Sequence, residues 1–256
     1  MKKADLHVHS NVSDGARSPE QIIDYVESNT DIDKVYITDH NNIAGAKIAL
    51  AYSLFKNYKI EVGIGSEIST QHCHMIGLDI KKNIKNKMSP QDTAKEILNQ
   101  GGFPVIAHPF NPFQKGRHLN GKILVESMLS SNIPFAIEVN GSLNYMTLFY
   151  SRGRFFRKQA ELSLANKKAI NIAKEYNIPI VGGSDSHLRV VLGSAYTIYK
   201  EDLISDIKEN TIQYGFNFPY RKQGIKYFIY HALFDSIPVP IKYKNNILKV
   251  FPSERK

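Results

Sequence analysis

The chain has a single cysteine, Cys73, in 256 residues, so no disulfide can form within it. It has no apolar run long enough for a signal peptide or a membrane span. The cytoplasm is therefore the expected location, with no membrane partner. Internal repeats and low-complexity tracts are also missing. Hydrophobic residues at 42% and charged residues at 22% are ordinary for a globular domain, which excludes disorder, collagen-like repeats and coiled coils as the main state. Acidic residues are the scarcer charge: 24 Asp and Glu stand against 33 Lys and Arg, a formal net charge of +9. Such a surface attracts nucleotides, phosphorylated metabolites or nucleic acid.

Seven short apolar runs read as buried strands: residues 5–9, 35–37, 62–68, 75–80, 103–106, 135–139 and 178–181. Continuous runs of this kind fit a parallel sheet buried on both faces. In the first run Leu6 and Val8 are expected on one face, with His7 and His9 on the other. Helices are marked by their starts. Ser18-Pro19-Glu20-Gln21 offers a capping box with proline at the first helical position. Ser89-Pro90-Gln91-Asp92 repeats the cap, and Gly101-Gly102 should end that helix. Residues 157–176 form a longer helix with an apolar stripe at Ala165, Ala169, Ile172 and Ala173. Strands alternating with helices predict an α/β fold, open or closed into a barrel. Residues 1–213 are expected to form the main domain. Residues 214–256, basic and rich in Tyr, are expected to be an extension packed on it, with a short helix at 226–234 and a strand at 247–251.

Nine His are present, and several sit directly after the predicted strands. The clusters are His7-Val8-His9, Thr38-Asp39-His40, His108-Pro109 and Asp185-Ser186-His187. Residues two apart on a strand share a face, which brings His7 and His9 within about 7 Å along the backbone. In α/β folds and barrels the C-terminal strand ends form one rim, where sites are built. His7, His9, His40, His108, Asp185 and His187 thus converge, and Glu67 and His74 stand close enough in the pattern to join them. Imidazoles with carboxylates and no thiolate suit Zn, Mn or Fe, and the sequence does not choose between them. Asp39 reads as an outer acceptor for a ligand ring nitrogen. Cys73 should point away from the rim as a structural residue. His72, His118 and His231 are expected to stay outside the cluster.

With Asp14 and Glu67 added, the order and spacing of these residues from about Asp5 to Tyr199 resemble the PHP (polymerase and histidinol phosphatase) family. The resemblance implies a distorted seven-stranded (β/α)7 TIM-like barrel carrying two or three divalent ions at its C-terminal rim. It implies that His7, His9, Glu67 and Asp185 hold one ion. Asp14, His40 and His187 would hold a second, and Glu67, His74 and His108 a third, with Glu67 bridging. Glu67 and His187 would be the catalytic residues. The implied reaction is phosphate-ester hydrolysis by metal-activated hydroxide.

Substrate capture needs further positive charge. Arg117, Arg154 and Arg189, each in a basic stretch or just after a cluster, are the candidate phosphate-binding residues. The leading expectation is a phosphatase for a small phosphomonoester, such as a nucleotide or nucleoside bisphosphate. The short spacing from His9 to His40 resembles the nucleotide-phosphatase and polymerase branches. The alternatives are a nuclease trimming short RNA or DNA ends and a non-catalytic scaffold that keeps the fold. An amidohydrolase reading is weaker, because no Lys follows a strand end where a metal-bridging Lys would be needed.

Overall fold

The computed structural model describes residues 1–112, 120–144, 156–187 and 191–217. Nine strands form one sheet: β1 (Lys2–Val8), β2 (Lys34–Ile37), β3 (Glu61–Ser69), β4 (His74–Leu78), β5 (Phe103–Ile106), β6 (Ala136–Asn140), β7 (Ile180–Gly183), β8 (Ala195–Tyr199) and β9 (Gln213–Phe216). The helices are α1 (Pro19–Asn29), α2 (Ala44–Lys56), α3 (Pro90–Asn99), α4 (Gly121–Leu129), α5 (Phe156–Glu175) and α6 (Leu203–Lys208).

All seven expected strands are present as β1 to β7. The sheet, however, is mixed rather than parallel. β4 runs antiparallel to both β3 and β5, and β8 runs antiparallel to both β1 and β9. The first reversal is a tight hairpin. Thr70 N donates to Cys73 O at 2.9 Å, and Thr70 Oγ1 accepts from Cys73 N at 3.0 Å. So short a link cannot hold the crossover of a dozen or more residues that a parallel pair requires.

The sheet curls until β7 returns to β1. Val8 and Ser186 form a parallel bridge, with His9 N donating to Ser186 O at 2.9 Å. β1 therefore has two partners on one side. Its first half, Lys2 to Ala4, pairs with β8, and its last residues meet the segment after β7. The result is a nearly closed, distorted TIM-like barrel. Asp5 sits where β1 changes partner and is fully buried. Its carboxylate accepts from Ser184 N at 2.8 Å, Gly193 N at 2.9 Å and His7 N at 3.3 Å.

β1 also carries a bulge. Asp5 pairs with Val35 and Val8 with Ile37, so three steps on β1 match two on β2. The expected common face for Leu6 and Val8 is thereby broken. Leu6 packs with Tyr36, Ile76 and Val105, whereas Val8 packs with Val35, Ile37 and α1. The extra residue re-aims the end of the strand, as bulges at barrel rims do.

The cluster around Leu6 draws on nearly every strand and fills the barrel, with Leu203 and Ile207 of α6 packed against it. Gly63 makes room there, because a Cβ would stand 2.3 Å from the Tyr36 ring. Outside, α1 and α2 cover β1 and β2, and α3, α4 and α5 cover β4 to β6. Each fully buried large side chain contributes roughly 1.5–3 kcal/mol. The predicted helix starts hold. Ser18 closes a capping box with Gln21, and Ser89 accepts from Asp92 N. α3 stops before Gly101, whose φ of +85° is a left-handed value that glycine adopts without strain. β9 pairs with β8, so the sheet continues across the boundary expected after residue 213. The helix and strand expected at 226–234 and 247–251 lie outside the described residues. No helix among the described residues is long and apolar enough to cross a membrane.

Candidate metal centre

The C-terminal rim gathers all nine residues expected there. His7 and His9 come from the end of β1 and Asp14 from the loop that follows. His40 follows β2, Glu67 lies in β3, His74 begins β4, His108 follows β5, and Asp185 and His187 follow β7. His7, His9, Glu67 and His108 are buried, while the side chains of Asp14, His40 and His74 are 31%, 28% and 21% exposed. The cluster is thus sealed on the barrel side and open on the other.

Glu67 is the centre. Its Oε2 lies 3.3 Å from His7 Nε2, 3.2 Å from His9 Nε2 and 3.2 Å from His40 Nδ1. Its Oε1 lies 2.8 Å from His74 Nδ1 and 3.0 Å from His108 Nε2. Asp185 Oδ1 stands 3.5 Å from His7 Nε2 and 3.4 Å from His9 Nε2. Asp14 Oδ2 stands 3.4 Å from His40 Nε2 and 3.3 Å from His187 Nε2. Four ligands at metal bonds of about 2.0–2.1 Å are separated by about 3.3 Å along each tetrahedral edge. The observed spacings bracket that value. In addition, the buried His40 Nδ1 stands 3.2 Å from Glu67 Oε2 without making a hydrogen bond to it, as two donors to one ion would. Donor type and spacing both fit divalent ions.

The donors group as His7, His9 and Asp185; as His9, Asp14, His40 and His187; as His40, Glu67 and His74; and as His7, His108 and Glu138. The expected sets therefore overlap more than the sequence implies. His9 reaches two of them, and His40 reaches both Asp14 and Glu67.

Burial opposes the charges of His7, His9, Asp14 and Glu67, and mutual attraction outweighs it. For His9, burial acts downward, but Asp185, Glu67 and Asp14 raise its pKa to about 10. His7 is likewise raised well above the usual imidazole value, against burial, by Glu138, Asp185 and Glu67. Burial acts upward on Asp14, yet His187, His40 and His9 hold it well below the usual carboxylate range. Glu67 is lowered against burial by His74, His40 and His7.

Two ligand positions need unusual backbone. His108 has φ +27° and Asp185 φ +53°, the second being a left-handed value that Asp tolerates. Asp185 is tied by Asn140 Nδ2, which donates to its Oδ2 at 3.1 Å. His187 donates from Nδ1 to Asp185 O at 3.1 Å and turns Nε2 to Asp14 Oδ2 at 3.3 Å.

Asp39 departs from its expected role. It touches no imidazole. It accepts from Ser10 N at 2.8 Å, Ser10 Oγ at 2.6 Å and Ser13 Oγ at 2.6 Å, and so shapes the loop that presents Asp14. The outer acceptor for a ligand ring is Glu138, whose Oε1 takes His7 Nδ1–H at 2.7 Å. Sequence reasoning missed it. The available sign was a charged residue inside the apolar run of β6. Cys73 is buried as expected, and burial pushes its thiol up to about 12. His72 is exposed, also as expected. Arg117, Arg154, Arg189, His118 and His231 lie outside the described residues.

Residues 163–212 match the PHP-associated family. The chain is 36% identical over 124 residues to the uncharacterized protein MJ1587 of Methanocaldococcus jannaschii, a match covering 44% of this chain and 71% of that protein. Its fold is similar to that of a two-domain Bacteroides vulgatus protein containing a predicted PHP-like metal-dependent phosphoesterase. There the TM-score is 0.63 at 18% identity, over 89% of this chain and 69% of that one. It is also similar to an amidohydrolase from Chromobacterium violaceum solved with bound sulfate and no metal, at TM-score 0.50 and 18% identity over 72% of this chain and 87% of that one. The fold of the chain is thus PHP-like, and its residues 163–212 carry the match to the PHP-associated family.

Proposed function

We propose that this chain is a metal-dependent phosphoesterase that hydrolyses a small phosphomonoester, with nucleotides or nucleoside bisphosphates as the substrate class. The observation that carries this reading is the Glu67 carboxylate, whose two oxygens face different imidazoles, Oε2 toward His7, His9 and His40 and Oε1 toward His74 and His108. A carboxylate so placed would be shared between two cation sites. His7, His9, Glu67 and Asp185 would hold one ion, Asp14, His40 and His187 a second, and Glu67, His74 and His108 a third. Ions held there would polarise a phosphoryl group and lower the pKa of water, whichever of Mn, Zn or Fe is bound.

The chain's own residues set the remaining conditions. His187, with its Nδ1 proton given to Asp185 O, turns Nε2 toward Asp14. With Glu67 it is the residue assigned to the reacting centre. The exposed edges of Asp14, His40 and His74 define the side from which substrate approaches. The net charge of +9 favours an anionic substrate, and Arg117, Arg154 and Arg189 are the cations assigned to its phosphate.

The test is phosphate release with added Mn²⁺ from nucleoside mono- and bisphosphates, histidinol phosphate and a 5′-phosphorylated oligonucleotide. Release from a nucleotide with the oligonucleotide backbone left intact is expected. Mononucleotides liberated from the oligonucleotide would replace this reading with a nuclease. Failure to turn over any ester while metal binds would favour a scaffold.

A further inference from the structure

β6 supplies none of the nine expected donors, yet its two polar side chains touch three of them. Glu138 is buried and points into the cluster. Its Oε1 accepts from His7 Nδ1 at 2.7 Å. Its Oε2 accepts from the backbone N of His108 at 2.9 Å and from Asn140 Nδ2 at 3.2 Å. The same Asn140 amide gives its other hydrogen to Asp185 Oδ2 at 3.1 Å. Asn140 is fixed from behind by Asn166 of α5, through a reciprocal pair in which Asn140 N donates to Asn166 Oδ1 and Asn166 Nδ2 donates to Asn140 O, each at 2.9 Å.

These bonds have a direction. With Nδ1–H given to Glu138, His7 must offer Nε2 toward Glu67 and Asp185. With its N–H held by the same carboxylate, His108 keeps the uncommon φ of +27° that turns its ring to Glu67. With one oxygen bound to Asn140, Asp185 turns its other oxygen, Oδ1, toward His7 and His9. We infer that Glu138 and Asn140 are a positioning pair that sets the tautomer of His7 and orients His108 and Asp185, and so fixes the affinity of the most buried ion position.

A carboxylate is required, because a glutamine has one acceptor and two donors. Whichever way its amide turns, it confronts His7 Nδ1–H, or His108 N–H and Asn140, with a donor. The charge also makes the His7 ring a stronger ligand.

This inference rests on the metal-centre reading, and the experiment separates the two. Metal-free protein, with Glu138→Gln, Asn140→Ser and a His40→Ala control, is titrated with Zn²⁺ against a chromophoric chelator. Co²⁺ absorption is recorded as a probe of coordination geometry, and circular dichroism of the metal-free forms reports the fold. The parent should bind tightly. Glu138→Gln should weaken its tightest site about 10–100-fold and alter the Co²⁺ spectrum of that site. Asn140→Ser should weaken the same site, and it carries the test if Glu138→Gln does not fold. His40→Ala should leave the tightest site in place and weaken another. A parent without Zn²⁺ affinity would overturn the metal-centre reading itself. Parent-like affinity and spectra in the folded variants would overturn only the role of the pair.

Discussion

Gly45, in the first turn of α2, lies against the buried carboxylate of Asp39: a Cβ at Gly45 would stand 1.9 Å from Asp39 Oδ2 and 2.7 Å from Ser10 Oγ. Asp39 cannot yield without releasing Ser10 and Ser13, whose bonds shape the loop that carries Asp14.

Gly45→Ala should therefore destabilise the protein, although alanine is favoured over glycine in an open helix by about 0.8–1 kcal/mol. Overpacking against a bonded buried group costs roughly 1–3 kcal/mol and outweighs the propensity gain. Urea unfolding of the two proteins would show the midpoint falling. A rise would mean that the helix start is free to move away from Asp39.

His40→Ala should abolish phosphate release while the metal-free protein keeps its stability within about 1 kcal/mol, because a partly exposed rim residue contributes little to the core. Activity assays paired with thermal melting measure both. Parent activity in this variant would refute the site assignment.

Zinc binding near neutral pH should release protons. In the metal-free protein Asp185, Glu67 and Asp14 outweigh burial and keep His9 protonated up to about 10. The sign for folding follows. The raised His9 pKa stabilises the metal-free fold fully below 6.5, and this contribution fades as pH rises toward about 10. The lowered Glu67 pKa stabilises it above 4.5, and this contribution is lost on acidification. From these groups the metal-free protein should melt highest between pH 4.5 and 6.5, and zinc should move the optimum upward. Calorimetric titration in two buffers of different ionisation enthalpy would register the protons. Heats independent of buffer would contradict it.

Asp5→Asn should destabilise the protein, and more so in acid. An amide has one acceptor for the N–H groups of Ser184, Gly193 and His7, and a buried donor left unpaired costs about 1–3 kcal/mol. Burial raises the Asp5 pKa from 3.8 to about 6 despite its hydrogen bonds, so the folded parent takes up a proton before the unfolded chain does. The parent thus gains stability from Asp5 as pH falls through 6 toward 3.8, and the Asn variant does not. Unfolding at pH 5 and pH 8 should show the larger gap at pH 5. A gap that shrinks in acid would contradict this account.

Much of the barrel is legible in the sequence, because strands β1 to β7 are short apolar runs and their ends carry the donors. The direction of β4 is not legible from its own residues. It is set by the length of the link at Thr70–Cys73, which was too short to be anything but a hairpin. β8 and β9 escape notice because their residues are partly exposed and form no continuous apolar run. α2 lacks a side-chain cap, and its outward Ile48, Leu54 and Phe55 blur the helical stripe. At the site, donors declare themselves by type and spacing. The partners that aim them do not, since Glu138 and Asp39 meet their neighbours only after the sheet has curled.

The divided partnership of β1 also bears on how the molecule is made. Asp5 meets Ser184 across 179 positions of sequence, and Ala4 pairs with Thr197. Contacts this remote are slow to form, because a long loop must close before they return any stabilisation. During synthesis the first strand leaves the ribosome long before β8 and the segment after β7 exist. His7 and His9 must wait for Asp185 and His187, so a complete ion-binding rim arises only after the chain has grown past residue 187. Loading of ions at this rim would in this way be tied to the last stages of folding.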